Sequence, residues 1–153
     1  MQRLILAAFI ALAAPASAFA QGVDTPPLAL GYHVSTSAIV VTQPIRVLDA
    51  DTFDVGVERF RINNLDAPET FRPDCQAEQT MGERATAEAR RILSSASRIV
   101  LYPERRRDRS ARVLARVEVD GQDFAGLLIA EGIARPWRGR TADWCAILAG
   151  TAR

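Results

Sequence analysis

From residue 39 to residue 65 the chain alternates. Phe53, Val55 and Val57 fall on one face, with Asp54 and Gly56 on the other, and Phe60 and Ile62 share a face opposite Arg59 and Arg61. Half-buried strands alternate in this way because successive side chains point to opposite faces of a sheet. The pattern predicts three strands, at 39–48, 52–57 and 59–65, with Gly56 near the turn between the last two. The period then lengthens. In TMGERATAEARRILSS, residues 80–95, Met81, Ala85, Ala89, Ile92 and Leu93 form one helical stripe, which Ala96 continues. Thr80 with Glu83 reads as a capping box at the start of that helix. Pro68 and Pro73 keep the intervening APETFRPDCQAEQ out of a continuous helix.

SRIVLY, residues 97–102, reads as a fourth strand, and period two returns at 112–119, where Val113, Ala115, Val117 and Val119 alternate with Arg112, Leu114, Arg116 and Glu118. PERRRDRSA between them reads as a charged loop, and Asp120-Gly121 as a turn. Residues 123–131 suit a short helix with Gly132 as its C-cap, and a last helix can form within 141–150. The order is βββ-α-ββ-α with a possible C-terminal helix. That order predicts an α+β fold built on a five-stranded OB-type barrel with helices.

The N-terminus stands apart from this pattern. MQRLILAAFIALAAPASAFA has a basic start, a short apolar run and small residues ending at Ala20. It reads as a secretory signal, too short in its apolar run to span a membrane. Residues 21–36 show no period and carry two prolines, and are expected to be a flexible arm. The domain proper is then 37–153. A secreted or periplasmic protein, cut near Ala20, is expected, with no stable membrane anchor. The two cysteines, Cys75 and Cys145, allow one pairing, and an oxidising compartment favours a disulfide between them.

The 153-residue chain has 19 basic and 18 acidic residues, and every basic one is an arginine. Bulk charge therefore does not mark a nucleic-acid binder, and a polyanion would need a local patch or a bound cation. The single histidine, His33, lies in the arm. Zinc sites and Ser-His or Cys-His pairs are thereby disfavoured in the domain. Acid–base work must fall to carboxylates, arginines or a metal-bound water.

Two acidic clusters sit at strand ends: Asp49-Ala50-Asp51 and the LDAPE stretch with Asp66 and Glu69. Carboxylates converging there would suit a hard cation such as Ca²⁺. The competing readings are a backbone-bonded turn for the first and a helix cap for the second. Pro73 leaves that cap at most one turn, which would aim Glu69. Arg61 lies inside a strand and Arg112 opens one, so both have fixed directions, whereas the run from Arg105 to Arg109 reads as a solvated loop. Two fixed arginines beside a carboxylate-bound cation suit a phosphodiester, since the guanidinium fork matches phosphate oxygens.

DADTFDV, RFRINNLDAPET, GERATAEARRIL and DRSARVLARVEVDGQDFAGLLIAEGIARPW, in that order, resemble the thermonuclease family of staphylococcal-nuclease-like domains over about residues 40–137. The resemblance implies an OB barrel with three helices and calcium-dependent hydrolysis of DNA and RNA, breaking the P–O5′ bond to leave 3′-phosphates. It implies Asp51, Asp66 and the Ala67 carbonyl as calcium ligands, with Asp49 behind them. Glu69 would be the general base, and Arg61 and Arg112 the phosphate-gripping pair. DNA and RNA would be substrates of a monomer. Two departures bear on activity. Ala50 stands where the family has glycine, which matters if that residue needs positive φ. Ser110-Ala111 replaces a Tyr-Gly whose tyrosine helps hold the nucleotide; Trp137 is the candidate substitute ring, against a core or rim tryptophan. The alternative function is a non-catalytic OB module that binds single strands or a protein partner.

Overall fold

The computed structural model describes residues 37–151. The expected signal segment and the arm lie outside them. Among the described residues no helix is long and apolar enough to cross a membrane.

The first alternating stretch makes two short strands, β1 (Ile39–Val40) and β2 (Ile45–Asp49), separated by a segment containing Pro44. β2 leads into β3 (Thr52–Val55) and β4 (Glu58–Ile62) as an antiparallel meander. Gly56 takes φ 59 in the turn between β3 and β4, a region open to glycine without Cβ strain. Val57 belongs to that turn and is fully exposed, so it does not share the buried face of Phe53 as the alternation suggested. Phe53 and Phe60, paired across the meander, stack with ring centroids 5.8 Å apart in the core. After β4 the chain turns and forms β5 (Leu65–Asp66), so the expected strand 59–65 is also two pieces.

Helix α1 (Gln76–Ser95) starts four residues before the expected cap. Thr80 lies inside it, and its hydroxyl donates back to the Gln76 carbonyl at 3.0 Å, so no capping box forms. The start falls instead at Cys75, which is bonded to Cys145. Ala85, Ala89, Ile92 and Leu93 are buried, and Met81 and Ala96 pack at the margin, as the stripe requires. Each buried Ile or Leu side chain contributes about 1.5–3 kcal/mol from removal of its surface from water.

β6 (Ile99–Arg107) runs five residues further than the expected strand 97–102. The PERRR segment is strand, not loop. A bulge between Pro103 and Arg107 breaks the period, and charged side chains on an exposed face hide the remainder. β7 (Val113–Val119) buries Val113, Ala115, Val117 and Val119, as expected. Asp120 and Gly121, both at positive φ, form the turn to β8 (Gln122–Asp123). Asp123 caps α2 (Phe124–Ala130) by accepting from the Gly126 N–H, and Gly132 follows the helix at φ 68. β9 (Arg135–Pro136) pairs with β5, and α3 (Trp144–Leu148) lies within the expected C-terminal stretch.

The main sheet has the order β1-β6-β7-β4-β3-β2, with β4 and β7 parallel. Its two ends are the consecutive halves of one stretch of chain: β1 pairs with β6 and β2 with β3. The sheet therefore curls so that its edges meet near residues 41–44. This is the α+β, OB-type arrangement that the strand order predicts.

Candidate active site

The site is assembled from the ends of β2, β3, β4 and β7 and from the loop after β5. Asp49 and Asp51 flank the tight β2–β3 connection, where the register slips between Val47 and Asp49. Ala50 is buried there and is not among the residues at positive φ, so the missing glycine brings no left-handed strain. Ala111 does bring it, at φ 60 in the turn before β7, a cost of about 1–2 kcal/mol for a residue with a Cβ.

Asp51 lies between the two arginines. Its Oδ2 meets Arg61 Nη1 at 2.7 Å. Its Oδ1 accepts from the Thr52 hydroxyl at 2.8 Å, and that hydroxyl accepts from Arg112 Nη1 at 3.2 Å. Arg61 and Arg112 are thus joined through Asp51 and Thr52. Arg112 is also held by Asp108, whose Oδ2 takes its Nε at 2.7 Å and whose Oδ1 takes the backbone N–H groups of Ser110 and Arg112. Burial pushes the Asp51 carboxyl up to about 7; Arg61 opposes the rise and Asp49 adds to it.

Glu69 sits in a loop without helix, so the one-turn cap allowed by LDAPE does not form. The loop is seated on α1. Buried Glu78 accepts the Glu69 N–H through Oε1 at 3.2 Å and the Asp74 N–H through Oε2 at 2.7 Å. One turn on, Gly82 lies so close that a Cβ there would be 2.7 Å from the Glu69 carbonyl oxygen and 2.8 Å from that of Pro68. Glu69 is half-buried, and its carboxyl is raised by burial and by Asp49, with Arg61 and Arg112 acting the other way. Asp49, Asp51, Arg61, Glu69 and Arg112 therefore share one electrostatic neighbourhood. Arg61, Glu69 and Arg112 line a cleft of about 750 Å³. Trp137 lines it too, 38% exposed, with the Arg61 guanidinium 5.7 Å from its ring centre.

Asp66 is placed differently. It is buried, its Oδ2 accepts the Ala142 N–H at 3.0 Å, and it lines a neighbouring basin rather than the cleft. Burial raises its carboxyl, with the Ala142 bond and Arg61 opposing. Among the described residues no three acids are gathered tightly enough to enclose an ion. The donor chemistry nevertheless fits a hard cation. Asp49 Oδ1 and Asp66 Oδ1 are buried without a hydrogen-bond partner, and unpaired buried acceptors of this kind cost stability unless something satisfies them.

Three residues that hold this arrangement were not visible in the sequence. Glu78 reaches across nine positions, Asp108 was submerged in a charge run, and Thr52 reads as an ordinary strand residue. Cys75 and Cys145 form the expected disulfide, with Cα atoms 6.0 Å apart, tying the start of α1 to α3.

The sequence model of a family described as staphylococcal nuclease homologue matches residues 59–143. The chain is 34% identical over 95 residues to the SPbeta prophage-derived endonuclease YokF of Bacillus subtilis (strain 168), an alignment covering 59% of this chain and 32% of that protein. It is 33% identical over 95 residues to the thermonuclease of Staphylococcus hyicus, covering 60% of this chain and 56% of that one. The matched region is thus a third to just over half of the length of these relatives.

Proposed function

Because the chain belongs to the staphylococcal nuclease family, we propose that it is a calcium-dependent nuclease that hydrolyses phosphodiester bonds of DNA and RNA. The observation that carries the reading is the Asp51 carboxylate held between Arg61 and the Thr52–Arg112 bridge, beside a cleft that Glu69 also lines. A carboxylate base and two oriented guanidinium groups around one space are what in-line attack on a phosphodiester needs.

In this reading Asp51, Asp66 and the Ala67 carbonyl hold Ca²⁺, with Asp49 behind them. When bound, the ion would polarise the phosphate and neutralise part of its charge. Arg61 and Arg112 grip the phosphate oxygens and oppose the charge that grows on them as water attacks. Asp51 and Asp108 fix the direction of the two guanidinium groups, so little reorganisation remains at the moment of reaction. Glu69 takes the proton of the attacking water. The P–O5′ bond breaks, leaving a 3′-phosphate, and the departing O5′ is protonated from solvent. Burial of Glu69 raises its basicity, which suits it to accept that proton near neutral pH. Trp137 offers a ring at the rim for a base, a contact worth roughly 1–3 kcal/mol. The protein would work as a secreted or periplasmic monomer.

The test is digestion of DNA and RNA with calcium and with chelator. Cleavage should require calcium. Glu69→Gln should lower the rate about 10²–10⁴-fold, and Arg61→Ala about 10²–10³-fold, with circular dichroism unchanged. Full activity in either folded variant removes its assigned role. Binding without cleavage, persisting in chelator, would instead establish a non-catalytic OB module.

A further inference from the structure

Beside the cleft lies a second basin of about 600 Å³, of whose lining only Asp66 has a part in the proposed reaction. The two are separated by the segment RPWRGR. From 136 to 140 its residues line the two sides alternately: Trp137 and Gly139 line the cleft, whereas Pro136, Arg138 and Arg140 line the basin. Thr141 lines both, so the two spaces adjoin. Arg135 lines the basin as well.

These arginines differ from those that are tied to an acid. Arg46, Arg59, Arg61, Arg106, Arg112 and Arg116 each have a carboxylate partner. Among the described residues Arg135, Arg138 and Arg140 form no ion pair. The basin's two acids, Asp66 and Asp143, each accept one backbone N–H, from Ala142 and from Ala146, the latter at 2.9 Å. Arg138 and Arg140, exposed guanidinium groups without an ion pair beside a concavity that adjoins a phosphodiester cleft, are suited to neutralise the phosphates of a polyanion, whereas Arg135 faces Asp66 across the β5–β9 pair.

We propose that this basin is a second phosphate-binding subsite, which holds the backbone of a nucleic-acid strand running on from the cleft across the ridge. The proposal rests on the nuclease reading for the identity of the strand. The ridge then has two roles: Trp137 faces the base at the scissile end, and Arg138 and Arg140 hold phosphates beyond it. Arg138 and Arg140 make no contact with the reacting group, so their contribution is to the binding of long substrates alone.

The experiment compares the full chain with Arg138→Ala/Arg140→Ala, and with Arg138→Lys/Arg140→Lys, on a tetranucleotide and on a single strand several times longer. For the double alanine variant, kcat/KM on the long strand should fall roughly tenfold through KM, while the tetranucleotide is cut as before. Lysine should restore most of the loss, since charge is retained. Anisotropy of the fluorescein-labelled long strand in chelator should show the slope of log K against log salt reduced by about 1–1.5, two contacts at about 0.7 each. Equal loss on both substrates, or no loss on either, overturns the proposal and leaves the nuclease reading intact. If the wild type cuts neither substrate, the nuclease reading fails, while the change in salt slope still decides whether the basin binds phosphates.

Discussion

The Glu78 carboxylate is 4% exposed, and each of its oxygens takes one backbone N–H, from Glu69 and from Asp74. Glutamine has the same shape but only one acceptor oxygen, so its amide would set a donor against one of those donors. Glu78→Gln is expected to lower kcat about 10- to 100-fold with KM little changed, because displacing Glu69 by even about 1 Å can cost 10²-fold. Glu78→Ala leaves both N–H groups unpaired and should also reduce stability by about 1–3 kcal/mol for each, measured by urea denaturation. A normal kcat in folded Glu78→Gln would show that Glu69 is placed by something else. At this scale the sequence was legible where partners are close along the chain. Asp49 and Asp51 are neighbours, and Arg61 lies in the strand paired with the one that follows them. It was not legible where a partner comes from another element. Glu78 falls in a stretch that reads as loop, and Asp108 looks like one more charge among arginines.

The elements were read best where burial is one-sided. β7 alternates without a break because one face packs on the core, and the α1 stripe repeats for the same reason. The reading failed where another force set the boundary. The start of α1 is at the disulfide rather than at Thr80, and β6 continues through a bulge whose side chains face water. That disulfide joins residues 70 apart in sequence. In the chain-entropy account, a loop of that size is worth about 4 kcal/mol. Cys75→Ser/Cys145→Ser, or reduction of the wild type, should therefore lower unfolding stability by up to about 4 kcal/mol, read from urea midpoints with and without reductant. An unchanged midpoint would mean that the unfolded chain is already constrained elsewhere.

Over the whole molecule the acids and arginines nearly cancel, yet they are unevenly placed. Asp49, Asp51 and Asp66 are brought under cover, where charge is costly. Asp51 rests at about 7 in the cation-free protein, because of burial first, against about 3.9 for a free aspartate. An acid raised in this way binds its proton more tightly folded than unfolded. Its contribution to stability is present below the unfolded value and is lost as pH rises through about 7. In chelator, Tm should therefore fall between about pH 5 and about pH 8, and Asp51→Asn should flatten that fall. Calcium should raise Tm more at the higher pH, where the carboxylate is already ionised. A Tm that climbs with pH in chelator would contradict this. Such costs are invisible in composition, because net charge says nothing about which charges are buried.

The meeting of the sheet's two ends has a kinetic side. β1 is two residues long, both exposed, and it pairs with Leu101 and Val100, some 60 positions along the chain. The β2–β3–β4 meander, by contrast, is formed by near neighbours. A junction that closes a long loop over so little buried surface is held by its own backbone bonds, such as Val41 N–H to the Ile99 carbonyl at 2.9 Å, and by the partly buried Val41 side chain against the core. The barrel is thus a ring with a clasp. The amides of residues 39–41 should exchange with deuterated solvent well before those of β3 and β7, without the rest of the domain unfolding.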